Sequence, residues 1–173
     1  MATGKVKVWD FPVRLFHWSL VTMFATAYFT SGDAEAPHQW AGYVALALVA
    51  FRIVWGFIGT PHARFADFVP RPATLATYFG LLVRGREPRH VGHNPVAAVM
   101  IVFLLAMVAM IGSTGWLMTT DWGWGNEAVE TLHAGAVKLA LAAIAFHVAA
   151  AVFESVRHRE NLVLSMLTGY KRR

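Results

Sequence analysis

Residues 128–153 read AVETLHAGAVKLALAAIAFHVAAAVF, a long apolar run interrupted by one acid, one base and two histidines, His133 and His147. A helix needs about 20 mostly apolar residues to cross the hydrocarbon of a bilayer, and this run is long enough. The two histidines are 14 positions apart, which is about 21 Å of helix and nearly four full turns. They therefore share one helix face at two depths. A lone histidine near a span end commonly just bonds water, lipid or backbone, so the case for function rests on how several histidines are placed.

Working outward, three further stretches have the same character: about 13–30, 40–59 and 95–117. The chain has 173 residues, 57% of them hydrophobic and 14% charged, too apolar for an ordinary soluble domain. The expectation is an all-α membrane protein, one domain over 1–173, built as a bundle of four transmembrane helices. Between the second and third spans, Pro72 is placed to open a short helix with Leu75, Tyr78, Phe79 and Leu82 recurring on one side, which suits an interfacial helix on the membrane surface.

Charge sets the orientation. Lys5, Lys7 and Arg14 precede or open the first span; Arg64, Arg71, Arg84, Arg86 and Arg89 fall between the second and third; Arg157, Arg159, Lys171, Arg172 and Arg173 follow the fourth. The other two loops hold Asp33, Glu35, Asp121 and Glu127 and no Lys or Arg. Basic loops stay inside, so both termini and the central loop are expected in the cytoplasm. The net charge of +5 is then topological, and nucleic acid is not an expected partner. Ala34-Glu35-Ala36 imitates a signal-peptide cleavage site, but Met1 and the Asp10 that precedes the apolar run favour an uncleaved first span.

Depth also sorts the histidines. His17 lies near the inner face and His38 at the outer entry to the second span; His133 is outer and His147 inner. Only His17 with His147 and His38 with His133 join residues at matching depth. Two paired-imidazole sites follow, one above the other. Haem b suits them, because iron takes axial imidazoles from opposite sides while the macrocycle fills an apolar slot between helices. Zinc suits them less, since two histidines leave a tetrahedral site short of ligands. Cysteine is absent, which excludes covalent c-type attachment and iron–sulfur ligation.

Four further positions bear on such sites. Gly42, one turn after His38, leaves room for a macrocycle or for close helix packing. Arg52 is 14 residues after His38, on the same face at the inner depth, placed either for a haem propionate or for snorkelling to the surface. Lys138 lies one to two turns below His133 and is the one basic residue of the outer half, available to an outer propionate or an anionic substrate, or equally placed to snorkel outward. His90 and His93 sit in the central loop, where capping and loop roles fit better than ligation; His62 and His158 read as surface residues. The third span carries no histidine and is expected to supply wall.

The motifs Trp9-Asp10-Phe11-Pro12-Val13-Arg14-Leu15-Phe16-His17-Trp18, His38-Gln39-Trp40-Ala41-Gly42-Tyr43, Arg52-Ile53-Val54-Trp55-Gly56, Ala63-Arg64-Phe65, Gly92-His93-Asn94-Pro95, Leu132-His133 and Phe146-His147 resemble the bacterial cytochrome b561 and Ni,Fe-hydrogenase b-type cytochrome family, nearest its short stand-alone members. The resemblance spans nearly the whole chain. It implies a four-helix core in the bacterial cytoplasmic membrane, two non-covalent haem b groups on His17, His38, His133 and His147, and electron traffic between the quinone pool and a redox partner. Where the family often has Glu after the outer fourth-span ligand, this chain has Ala134, which puts a proton-handling role at that spot in doubt.

Three functions are carried forward. The first is a diheme electron-transfer cytochrome linking ubiquinone or menaquinone to a periplasmic c-type cytochrome or another redox protein. The second is an enzyme, a superoxide oxidase in which Lys138 attracts the anion and quinone takes the electron. The third is a haem-free membrane anchor or a metal-cation transporter, against which the absence of intramembrane Asp or Glu on the paired histidines already argues.

Overall fold

Asp10 starts the first helix. Its Oδ1 accepts from the backbone N–H of Val13 at 2.8 Å, the capping bond expected of an aspartate just before a helix. The computed structural model describes residues 4–32 and 35–173; Met1, Asp33 and Ala34, which entered the topology and cleavage readings, lie outside the described residues. In chain order the elements are β1 (Lys5–Lys7), α1 (Phe11–Phe29), α2 (Glu35–Ile58), α3 (Phe65–Phe68), α4 (Pro72–Val83), α5 (Pro95–Met118), α6 (Glu127–Arg157), α7 (Leu162–Thr168) and β2 (Tyr170–Arg172).

Helices α1, α2, α5 and α6 fall on the four apolar stretches. Among the described residues, α2, α5 and α6 are long and apolar enough to cross a membrane. Helix α1 does not reach that mark, because Arg14, His17, Ser19, Thr22 and Thr26 interrupt it. Its threonines return their hydroxyls to the helix: Thr22 donates to the Trp18 carbonyl at 3.0 Å and Thr26 to the Thr22 carbonyl at 2.9 Å.

Helices α2 and α6 carry large apolar side chains on their outsides and mostly small ones on their insides. Along α2 the buried stripe is Ala41, Ala45, Val49 and Arg52, and along α6 it is Ala136, Ala140 and Ala143. Phe51, Phe57, Leu132, Leu139 and Phe146 are exposed. A water-soluble helix has the reverse pattern; lipid removes the drive to bury large side chains and leaves small ones to set helix approach.

The chain divides into two compact units. One comprises Leu15–Ile53 and Phe103–Ile144. Within it Tyr43 Oη meets Thr119 Oγ1 at 3.2 Å, and a Cβ on Gly112 would come within 3.0 Å of Leu46.

The other unit gathers the chain up to Arg14, Val54–Val102 and Ala145–Arg173. There β1 and β2 pair antiparallel, Lys5 opposite Arg172 and Lys7 opposite Tyr170. The Trp9 indole donates to Ser165 Oγ at 3.2 Å, and the Arg14 guanidinium donates to the Leu167 carbonyl. Gly169 ends α7 at φ 88°, a left-handed turn in which a Cβ would also lie 2.7 Å from the Trp9 carbonyl, so only glycine fits. Asp10 Oδ2 accepts from Trp55 Nε1 at 3.0 Å and Thr60 Oγ1 at 2.7 Å, fastening the start of α1 to the end of α2. Helix α4 does begin at Pro72, but it turns Tyr78 inward and leaves Phe79 exposed.

Candidate functional site

Two of the four span histidines come together. The imidazoles of His38, on α2, and His133, on α6, have centres 6.3 Å apart and planes at 69°. Both rings are half-buried. His38 Nδ1 lies 2.7 Å from the Ala27 carbonyl oxygen. A carbonyl only accepts, so this nitrogen carries the proton and Nε2 keeps its lone pair.

His133 is oriented in the same way. Its Nδ1 lies 3.0 Å from Thr114 Oγ1, and that hydroxyl is within 2.8 Å of the Met110 carbonyl and 3.0 Å of the Ile111 carbonyl. With its proton on a carbonyl, the Thr114 oxygen accepts from His133 and leaves Nε2 as the free donor atom of this ring too. Gly115 supplies clearance, since a Cβ there would stand 3.2 Å from His133 Cε1. Gly42 is half-buried, yet a Cβ built on it would meet no heavy atom within 4 Å. Space lies open beside the helix one turn from His38.

These orienting partners were not foreseen. Thr114 sits in the stretch Gly112-Ser113-Thr114-Gly115, whose small and polar residues in an otherwise apolar helix were the available signal. The Ala27 carbonyl has none, being backbone.

The remaining candidates are placed one by one. His17, half-buried on α1, has the Trp18 ring edge-on at 5.1 Å; His147 is half-buried on α6. They belong to different units and are described each on its own helix. Arg52 is 3% exposed, which does not fit a guanidinium snorkelling to the surface. Lys138 is exposed. In the loop before α5, His93 packs between Trp9, at 4.5 Å, and Phe68, at 4.9 Å, while His90 lies edge-on to Tyr78 at 5.3 Å. Among the described residues no three His, Asp or Glu side chains gather as a site for a bare metal ion.

A cavity of about 370 Å³ opens beside the paired imidazoles, lined by Glu35, Gln39, Gly115, Thr119, Trp124 and Glu130 among others. Gln39 Nε2 donates to Glu35 Oε1 at 3.0 Å. The lining is acidic, and Lys138 takes no part in it.

Residues 8–169 match the prokaryotic cytochrome b561 family. The chain belongs to that family. It is 27% identical to a protein named probable Ni/Fe-hydrogenase B-type cytochrome subunit from Rhodobacter capsulatus, over 96% of this chain and 81% of that one. The Cupriavidus necator protein of the same name is also 27% identical, over 99% and 90% of the two chains. A probable Ni/Fe-hydrogenase 1 B-type cytochrome subunit from Escherichia coli K12 is 26% identical, over 95% and 89%. No solved structure matches the chain. As a cytochrome b561 the protein is an integral membrane helical bundle that carries haem b and transfers electrons.

The residues in hand fit that group. An imidazole nitrogen bonds a transition metal at about 2 Å and lies a little over about 1 Å from its own ring centre, so imidazoles on opposite sides of one ion have centres about 6 Å apart. His38 and His133 meet that separation, each with Nδ1 engaged and Nε2 available, the tautomer that metal-binding histidines adopt when a neighbour holds the other nitrogen.

Proposed function

We propose that the chain is a diheme cytochrome, a single four-span domain over 1–173 in the bacterial cytoplasmic membrane, that passes electrons between the quinone pool and a redox partner. The observation that carries this reading is the 6.3 Å pairing of His38 with His133. By their depths along the sequence, His17 and His147 would supply the second pair of ligands, and α6 would serve both pairs. Arg52, 3% exposed, would neutralise a propionate, and Gly42 would leave room for a macrocycle.

Four crossings find support in parity. β1 and β2 are hydrogen-bonded strands of one ribbon, so the two ends of the described chain lie on one side of any membrane. Three crossings would put them on opposite sides. With α2, α5 and α6 spanning, parity favours α1 as the fourth, and its threonines already return their hydroxyls to helix carbonyls as lipid requires. The basic loops favour a cytoplasmic side for both termini.

Haem b, when bound, supplies one-electron redox chemistry. The chain's part is to fix two imidazoles in one tautomer, exclude water with apolar helices and set the charge near each site. The acidic cavity beside His133 favours a cationic or neutral face on the outer partner, such as the basic rim of a c-type cytochrome. It also weighs against the superoxide oxidase reading, because Glu35 and Glu130 repel an anion where Lys138 was expected to attract one. The relatives' names make a hydrogenase-type dehydrogenase the second partner class.

The deciding experiment is haem stoichiometry and spectroscopy of the purified protein, followed by anaerobic titration with quinol and with candidate outer cytochromes. Two low-spin haems per chain, reducible by quinol, are expected. Fewer than one haem per chain would sink the reading.

A further inference from the structure

Glu154 lies seven residues after His147 on α6, two turns along, on nearly the same face and about 10 Å away. Its side chain is 16% exposed. One carboxylate oxygen accepts from Asn94 Nδ2 at 3.1 Å, and the other is 3.2 Å from His158 Nε2. Asn94 is itself fixed, because its Oδ1 accepts from the Ala97 N–H at 2.8 Å and caps α5.

The charged and titratable neighbours come from every element around it: Tyr78 from α4, Glu87 from the loop that follows, Arg157 and His158 from the end of α6, and Lys171 from β2. The cations are committed elsewhere. Arg157 Nε is 2.7 Å from Glu87 Oε1, and Lys171 Nζ is 3.8 Å from Glu160 and donates to the His90 carbonyl at 3.2 Å. Glu154 is left with a neutral amide and an imidazole.

Tyr78 adds a second observation. It is 4% exposed, and its hydroxyl has no hydrogen-bond partner among the described residues. Burial first, then the charges of Glu154 and Glu87, push the phenol up to about 12, so it is a neutral donor throughout the working range. A buried donor without a partner calls for water or a ligand beside it. A largely buried carboxylate whose one ion-pair partner is an imidazole, itself charged only when protonated, changes protonation readily when charge nearby changes.

We propose that Glu154 exchanges a proton with water as the redox centre held by His147 gains or loses an electron. The inference rests on the haem reading above. As one electron arrives, from a quinol or an added mediator, Glu154 takes one proton from solvent through His158 and its carboxylate becomes the neutral acid. As the electron leaves, the proton returns to solvent. Tyr78 and bridging water complete the polar lining.

The test is spectroelectrochemical titration of the purified, haem-loaded protein between pH 6 and pH 9, following the two haems separately. The inner haem is identified as the one lost in His147→Ala. Its midpoint should fall as pH rises, approaching about 59 mV per tenfold change in proton activity at full coupling, while the outer haem stays flatter. Glu154→Gln should hold the inner midpoint at the acid-side value across the range, with haem content and absorbance unchanged. Glu154→Asp should keep the slope and move its position on the pH axis; if the glutamine variant loses haem, this second variant decides. A pH-independent inner midpoint in the parent protein, an unchanged slope in Glu154→Gln, or an aspartate curve superimposable on the parent would each overturn the inference. Protein that binds no haem would overturn the functional reading and this inference with it.

Discussion

Thr114 Oγ1 stands 3.0 Å from His133 Nδ1, with the Met110 carbonyl positioned at 2.8 Å to take the hydroxyl proton. The threonine thus has one oxygen to offer the imidazole and no competing use for it. Thr114→Val keeps the shape and removes the acceptor. Losing such an outer partner weakens metal-site affinity by about 10–100-fold. Haem transfer to an excess of apomyoglobin should be faster by that factor for one haem and unchanged for the other.

The pairing of ligands has its own test. His38→Ala and His133→Ala should each remove the same haem, and the double variant should lose no more than either alone. Absorbance and redox titration of the three proteins would show it; loss of different haems would refute the pair.

Gly42 separates space for a ligand from space for packing. A Cβ at this position meets nothing within 4 Å, so Gly42→Ala should leave the haem-free fold unharmed and even gain up to about 1 kcal/mol of helix propensity. Gly42→Leu should expel haem while the helix content by circular dichroism stays level. If the leucine variant retains both haems, the open space is not where the macrocycle lies.

Asp10 holds three donors, from Val13, Trp55 and Thr60. Asp10→Ala removes a helix cap and strands two side-chain donors, a loss of about 2–4 kcal/mol. Thermal unfolding in detergent should shift down clearly, and less for Asp10→Asn, which retains an acceptor.

Acid should loosen the unit that contains β1 and β2 in two windows. The hydrogen bond from Arg157 foremost holds the Glu87 carboxyl below the usual range, so its stabilisation is present above about pH 4 and disappears as pH falls through the folded value. Burial first, then Lys171 and His158, hold the His90 imidazole below its usual range. Its contribution has the same sign, full above about pH 6.5 and lost below as the ring is forced to charge. Unfolding followed from pH 7 to pH 3 should show a smaller lower step in Glu87→Gln, the remainder belonging to Glu160, which is also held below its usual range, and a smaller upper step in His90→Gln.

Much of this was legible in residue order. The apolar runs located α1, α2, α5 and α6, and the rule of matching depths pairs His38 with His133. Helix α2 starts at Glu35 rather than near Trp40, because a polar first turn carries no apolar signal. The ribbon was invisible for a different reason: three-residue strands have no period to detect, and their pairing joins opposite ends of the chain. Helix α7, at seven residues, is also too short to show one. At the site, side chains that bond metals announce themselves by type, whereas the groups that aim them, Thr114 and a backbone carbonyl at Ala27, depend on which helices meet.

The β1–β2 ribbon also bears on the order of assembly. Residues 170–172 are translated after all the helices, yet they close the same unit that residues 5–7 open. Until α7 and then the second strand emerge, Trp9 lacks the Ser165 that receives its indole proton, Arg14 lacks the Leu167 carbonyl, and residues 5–7 lack their partner strand. The unit stitched from three distant segments can therefore mature only after synthesis has passed the ribbon. Contacts this far apart in sequence form slowly, so cofactor loading at the His147 end should trail the appearance of full-length protein.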